Sequence, residues 1–439
     1  MTNKKSEKWT LSSLQEYGKN YLVGGMSSTY RVNRHTSLPF YLSKAEGAHL
    51  YDVTGKKYID YFMGHGAILL GHKNPEIEKA ILNVLENGVL AEFDTCATIE
   101  LAKMITEIIP CAERVRYASS GSESTLLAMR LARAYTGKDK IVRIDGHFHG
   151  GHDYALFNNL AKSIDRENPG DRASKPICIS SGVPEAIKET IVVIPWNNVD
   201  AFEQVVKKVG HSIAGIIMNP IDYNNGCITT TSAYLNAVND IAHRNDIVVI
   251  YDEILSGFRT GISCAQGYYG VSPDICTLGK ALSNGLPFSA VVGKEDIMSR
   301  IMSQEPPVTA GGTFAGNLIG VGAAIAALNI MKQKDFYPNL FSIADYFFDN
   351  LQQLFDDCGV VARVQHLGSN FFIYFGIREP VVDYHQFENL DLNFMKKFFQ
   401  ACISEGLYFN TDLTVSAAHA KEDIDISLEK IHKCLKSVL

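Results

Sequence analysis

The chain has 439 residues, 46% of them apolar and 20% charged, with a formal net charge of −7. That length can bury a large core in two or three packed units, and the composition is ordinary for a soluble globular protein. The acidic balance and the lack of a long basic run argue against a general nucleic-acid binder, and no apolar stretch is long enough to cross a bilayer.

Along the chain, Met1 to Trp9 is polar and lysine-rich with no apolar core behind it, so it does not read as a signal peptide. Tyr51 to Val53, a Thr54-Gly55 turn and Tyr58 to Asp60 read as a hairpin. From about Asn74 to Asn329, short β-branched runs alternate with helical patterns. Val192 to Ile194, Ile213 to Met218 and Ile247 to Ile250 suit strands buried on both faces of a mostly parallel sheet. Between them, Ser232 to Arg244 has helical spacing, with Tyr234, Leu235, Val238 and Ile241 on one face. Ser163 to Pro184, rich in Ser, Pro, Gly and charge, reads as a loop. Beyond Met331, amphipathic helices over roughly Leu340 to Phe355 and Leu392 to Glu405 bracket a strand, Phe371 to Phe375. The expected architecture is therefore α/β. A large domain over residues 73–330 holds the mostly parallel sheet, a smaller α+β domain covers 331–439, and the segment 1–72 packs with the smaller domain. Nine cysteines without a Cys-x-x-Cys pair read as core or free thiols of a reducing compartment, which places the protein in the cytoplasm.

Five segments carry chemistry. Tyr117 to Thr125 follows a strand and opens a helix expected over Leu126 to Tyr135. Ser120, Gly121 and Ser122 at its N-terminus form a cup for phosphate, or Ser120 and Glu123 simply cap the helix. Asp145 to Gly151 follows the strand Lys140 to Ile144, and there Phe148 can lie on a cofactor ring or pack in a turn. His147, His149 and His152 fit no standard zinc spacing, so no metal is expected there. Tyr251-Asp252-Glu253 ends a strand, and Lys280 follows the apolar run Ile275 to Leu278. A lysine amine that forms a Schiff base, with a carboxylate to hold a pyridine nitrogen protonated, suits a pyridoxal 5′-phosphate enzyme. Gly311 to Asn317 is a second hydroxyl-bearing, glycine-flanked turn before a helix.

Taken in order, Ser-Gly-Ser-Glu, Gly-His-Phe-His-Gly, Tyr-Asp-Glu-Ile-Leu-Ser-Gly-Phe-Arg, Leu-Gly-Lys and Gly-Thr-Phe-Ala-Gly-Asn strongly resemble the class III pyridoxal-phosphate aminotransferases. The similarity runs from about Tyr21 to Leu435 and is greatest to the glutamate-1-semialdehyde aminomutase branch. The resemblance implies the fold-type I architecture and a homodimer with active sites at the subunit interface. It makes Lys280 the Schiff-base lysine and proton carrier, Asp252 the partner of the pyridine nitrogen, and Gly121 and Ser122 the phosphate cup. Thr313 would reach the phosphate from the second subunit. Phe148 would stack on the ring where the family often has Tyr. Asn224 would lie near the phenolic oxygen, and Arg31 or its neighbour Arg34 would grip a substrate carboxylate.

The departures from the family concern the substrate. Asn219-Pro220 stands where Glu-Pro is usual, and His65 stands where the aminomutases carry a tryptophan beside the substrate. Their longer loop with a glutamate is shortened here to Leu407 through Asn410, Thr411 and Asp412 to Val415. Intramolecular amino exchange requires the diamino intermediate to stay bound. On that ground the expected reaction is amino transfer between a carboxylate-bearing amino acid and a carbonyl acceptor. The alternatives are the aminomutase reaction, which forms 5-aminolevulinate, another pyridoxal-phosphate outcome such as epimerisation, and a non-catalytic protein that kept the fold.

Overall fold

The computed structural model describes residues 9–90, 92–158, 176–303 and 305–439, so the first part of the loop expected from Ser163 lies outside them. In chain order the strands are β1 (Leu42–Glu46), β2 (His49–Asp52), β3 (Lys57–Asp60), β4 (Arg114–Ala118), β5 (Lys140–Ile144), β6 (Ile191–Ile194) and β7 (Ile213–Met218). They continue as β8 (Val248–Glu253), β9 (Ile275–Leu278), β10 (Ser289–Gly293), β11 (Ala362–Leu367), β12 (Asn370–Phe375), β13 (Leu407–Tyr408) and β14 (Leu413–Thr414).

Seven strands form the central sheet in the order β4-β10-β9-β8-β7-β5-β6. Within it β5 to β9 run parallel, and β10 runs antiparallel to both of its neighbours. Every residue of β7 and β8 is buried, which is why β7 and the first part of β8 read as apolar runs rather than alternating ones, with Asp252 and Glu253 ending β8. The expected helix after β4 starts earlier, at Gly121, because Ser120 caps it: Ser120 Oγ accepts from the Glu123 N–H at 3.3 Å. Register places Asp252 beside Thr277 and Glu253 beside Leu278. The chain then turns through Gly279 into Lys280, which adopts a left-handed φ of 47°. A parallel sheet gathers chemistry at the carboxyl ends of its strands, and Asp252 and Lys280 both lie at that edge.

The C-terminal part holds the antiparallel sheet β11-β12-β14. Helices Phe336–Asp357, Leu392–Ser404 and Lys421–Val438 accompany it. Its core is aromatic, with Phe347, Phe348, Phe355, Phe371, Phe375 and Phe398 in one cluster. The expected hairpin near the N-terminus is present as β2 and β3, with β1 added outside it. Strand β13 completes that sheet by pairing parallel to β3, Leu407 opposite Ile59 and Tyr408 opposite Asp60. This return brings the β13–β14 connection back over the edge where Lys280 lies. Among the described residues no helix is long and apolar enough to cross a membrane.

Candidate active site

A cavity of about 410 Å³ opens at the carboxyl edge of the central sheet, with Ser120, Gly121, Ser122, Phe148, Asp252 and Lys280 in its wall. Its floor is set by Asp252, which is 2% exposed. Three donors converge on that carboxylate. Thr277 Oγ1 donates to Oδ1 at 3.0 Å, the Ile254 N–H donates to Oδ1 at 3.1 Å, and His149 Nδ1 lies 2.7 Å from Oδ2. Burial pushes the His149 imidazole below its ordinary range, and the Asp252 hydrogen bond opposes that shift. A carboxylate only accepts, so His149 carries its proton on Nδ1. Asn219 joins the floor by donating through Nδ2 to the Asp252 carbonyl at 3.1 Å.

Opposite the floor, the helix Gly121–Thr136 points its N-terminus into the cavity. Its free N–H groups and dipole favour an anion there. Ser122 Oγ accepts from the Gly151 N–H at 3.0 Å. That approach requires a glycine at 150, where φ is 104° and a Cβ would come within 2.6 Å of Ser122 Oγ. Both readings of Ser120 hold at once, since it caps the helix and also lines the cavity. Glu123 closes the same turn by accepting from the Ser119 N–H at 2.7 Å.

Lys280 enters from the end of β9. Burial pushes its ammonium below the ordinary lysine range; Asp412 opposes the shift, Arg259 adds to it and Asp252 opposes it. Asn224 lines the same cavity and donates through Nδ2 to Asp412 Oδ1 at 3.2 Å. His65 lies just behind, its Nδ1 2.7 Å from Asp412 Oδ2. Tyr30 bridges outward, with its ring edge-on to His65 at 6.3 Å and to Phe148 at 6.0 Å. Arg31 and Arg34 are exposed near this end. The Arg34 N–H donates to Asn410 Oδ1 at 3.1 Å, and the Arg34 charge reaches Asp412. Thr313 is exposed on its turn and does not line the cavity.

The lining matches pyridoxal phosphate chemically, with an anion cup at a helix N-terminus, a carboxylate floor, an aromatic wall and an enclosed amine. A profile of the family described as Aminotransferase class-III matches residues 30–435. This chain belongs to the class-III aminotransferase family. Its cofactor is pyridoxal 5′-phosphate. The glutamate-1-semialdehyde 2,1-aminomutase of Persephonella marina is 35% identical over 432 residues, covering 97% of this chain and 98% of the relative. The aminomutase of Methanocaldococcus jannaschii is 38% identical over 395 residues, covering 90% and 89%. Among solved structures, an omega-transaminase from Sphaerobacter thermophilus superposes with a TM-score of 0.90 at 26% identity, covering 98% of this chain and 97% of that one. A glutamate-1-semialdehyde aminomutase from Pseudomonas aeruginosa shares the fold, with a TM-score of 0.87 at 19% identity over 98% and 94% of the two chains.

The residues named from sequence therefore fall into two groups in this class-III member. Ser120, Gly121, Ser122, Phe148, Asn224, Asp252 and Lys280 share one cavity, whereas His65 and Arg31 stand outside its wall and Thr313 lies apart. Sequence reading passed over His149, Thr277 and Asp412 as parts of the site. His149 sat inside a recognised motif but was weighed only as a metal ligand. Thr277 was hidden in an apolar strand, and Asp412 was seen only as part of a shortened loop.

Proposed function

We propose that this family member moves an amino group between neighbouring carbons of one carboxylate-bearing substrate, converting glutamate-1-semialdehyde to 5-aminolevulinate. One observation carries this reading over simple amino transfer: curated relatives bearing that name match at 35% and 38% identity along almost the full length of both chains. Bound in the cavity, the cofactor supplies an aldehyde that captures amines and a ring that accepts the electrons released at the substrate carbon.

The chain's own groups supply the rest. Lys280 would provide the amine that holds the cofactor, and its nitrogen would take and return the proton at the reacting carbon. Its lowered pKa suits it to act as a base. Asp252 would hold the cofactor's ring nitrogen protonated, and Thr277, Ile254 and His149 fix that carboxylate in place. Gly121 and Ser122 would hold the phosphate, Phe148 would pack against the ring, and Asn224 would offer an amide N–H to the cofactor. Arg31 or Arg34 and His65 receive the substrate carboxylate end. Thr313 acts from a second copy of the chain in a homodimer. The exposed apolar residues Leu82, Leu85, Phe93, Ile99 and Phe314 supply surface for that contact.

A second reading, amino transfer between two molecules, is favoured by the short connection between β13 and β14, which leaves no long loop to retain an intermediate. Single-turnover spectroscopy separates the two. Cycling with the semialdehyde alone, yielding 5-aminolevulinate without any donor, is the expected outcome. Conversion to the pyridoxamine form by an ordinary amino acid, with release of its keto acid and no product from the semialdehyde, would replace the mutase by the transaminase.

A further inference from the structure

Asp412 ties together three distant stretches of the chain at the substrate end of the cavity. Its Oδ2 lies 2.7 Å from His65 Nδ1, and its Oδ1 accepts from Asn224 Nδ2 at 3.2 Å. Asp412 is 4% exposed. Its backbone and that of His65 are both left-handed, with φ of 56° and 58°. Non-glycine residues adopt that conformation at a cost, so a pair of them facing each other marks an arrangement held by its surroundings. A carboxylate is acceptor-only, so His65 carries its proton on Nδ1 and its Nε2 is left without a protein partner. Asn224 keeps a second amide hydrogen for the cavity that it lines with Lys280.

The charges around Asp412 come from every side. His65 and Arg34 face it from the N-terminal segment and Lys280 from the end of β9, and its charge is also felt at Arg259 and Asp222. Burial pushes its carboxyl up, but the His65 hydrogen bond, Lys280 and Arg34 bring it below the ordinary range.

We propose that Asp412 is a positioning residue: it fixes the directions of His65 and Asn224 and sets a negative charge behind the cavity that Asn224 and Lys280 line together. The inference rests on Lys280 being the residue that carries the cofactor. The anion favours the cationic state of the Lys280 nitrogen, and it does so against the enclosure that disfavours any charge there. Asp252 acts in the same direction and Arg259 against it, and Asp412 is the larger of the two favourable charges. The same anion gives the site two oriented polar groups, His65 Nε2 and the Asn224 amide, without itself occupying substrate space.

The test uses full-length protein saturated with pyridoxal phosphate. Borohydride reduction and mass analysis report the link to Lys280, and a pH titration of the visible band reports protonation of the linked nitrogen. Asp412→Asn is expected to keep the link and to move the titration midpoint down by about one pH unit. Asp412→Glu is expected to restore most of that shift, which a merely structural role would not. If Asp412→Asn does not fold by circular dichroism, Asp412→Ser, small and uncharged, carries the same expectation. An intact link with an unmoved midpoint in the neutral variant overturns the inference. A wild-type protein whose link is not at Lys280 overturns instead the reading on which it rests, and the inference with it.

Discussion

The two ends of the cavity are built by different means. At the cofactor end, Asp252, Thr277 and Lys280 stand on or just after two adjacent parallel strands, β8 and β9, whose register fixes their spacing. At the substrate end, His65, Asn224 and Asp412 come from parts of the chain up to 347 residues apart and meet through side-chain hydrogen bonds between connecting segments. A sheet edge is rigid because its backbone bonds are cooperative and its strands are buried on both faces. Connections carry no such constraint, so their geometry depends on a few polar contacts and on backbone conformations held against their preference. The comparison suggests a division of labour, with the common chemistry written into the sheet and the choice of substrate written into the junction.

The division is tested most severely at the sheet. Lys280→Ala should lower turnover by about 10³-fold or more and should abolish borohydride fixation of the cofactor, while still binding it. Wild-type turnover in that variant would show that Lys280 does not carry the chemistry. Asp252→Asn is next. It preserves the shape, and the donors from Thr277 and Ile254 can still meet the amide oxygen, but the negative charge on the cavity floor is gone. A loss of about 10²-fold in kcat is expected, with the lysine link intact.

A third prediction concerns what supports the floor. Glu253, beside Asp252 on β8, is fully buried. It accepts from the Ala265 N–H at 2.8 Å, from Gln266 Nε2 at 3.1 Å and from Ser256 Oγ at 3.3 Å. Burial nevertheless raises its pKa from an ordinary 4.5 to about 7, with those hydrogen bonds opposing the rise. The folded protein therefore keeps a proton there that the unfolded chain releases. The resulting stability is fully present below pH 4.5 and is lost as pH rises through about 7. Over that window the contribution amounts to about 3 kcal/mol. Glu253→Gln removes the titration, so thermal denaturation should show the variant gaining on wild type as pH goes from 5 to 8. A constant difference across that range would show that Glu253 stays ionised in the fold.

The same division explains what could be read from sequence. β-Branched runs such as Ile213 to Met218 announce buried parallel strands because burial on both faces is a local pattern, whereas a lysine after an apolar run points to a site only in company with the motifs around it. The turn at Ser120 to Ser122 was legible as a helix start, and the local pattern left a plain cap and a phosphate cup both open, because Ser-x-x-Glu caps are common. Asp412 had no such signal. One aspartate in a connecting segment looks like any surface turn until β13 pairs with β3 and swings it inward beside His65. The helix Lys421–Val438 carries its signal in a weaker form. Its buried Ile424, Ser427, Ile431, Cys434 and Leu435 recur at helical spacing, diluted by the charged residues of the outer face.

The smallest expected effect lies at the junction and separates recognition from chemistry there. His65→Asn keeps a donor close to the position of Nδ1, so Asp412 retains its partner. Asn also accepts the left-handed backbone that residue 65 requires. What it removes is the far edge of the ring, Nε2, and the aromatic contacts to Phe62 at 4.4 Å and Tyr30 at 6.3 Å. If the substrate end recognises rather than reacts, KM for the carboxylate-bearing substrate should rise about three- to ten-fold, the worth of one hydrogen bond, with kcat nearly constant. An equal fall in kcat and kcat/KM with KM unchanged would mean that His65 acts only at the transition state. The junction would then share in the chemistry, and the boundary between sheet and connection would have to be redrawn around Asp412 and His65.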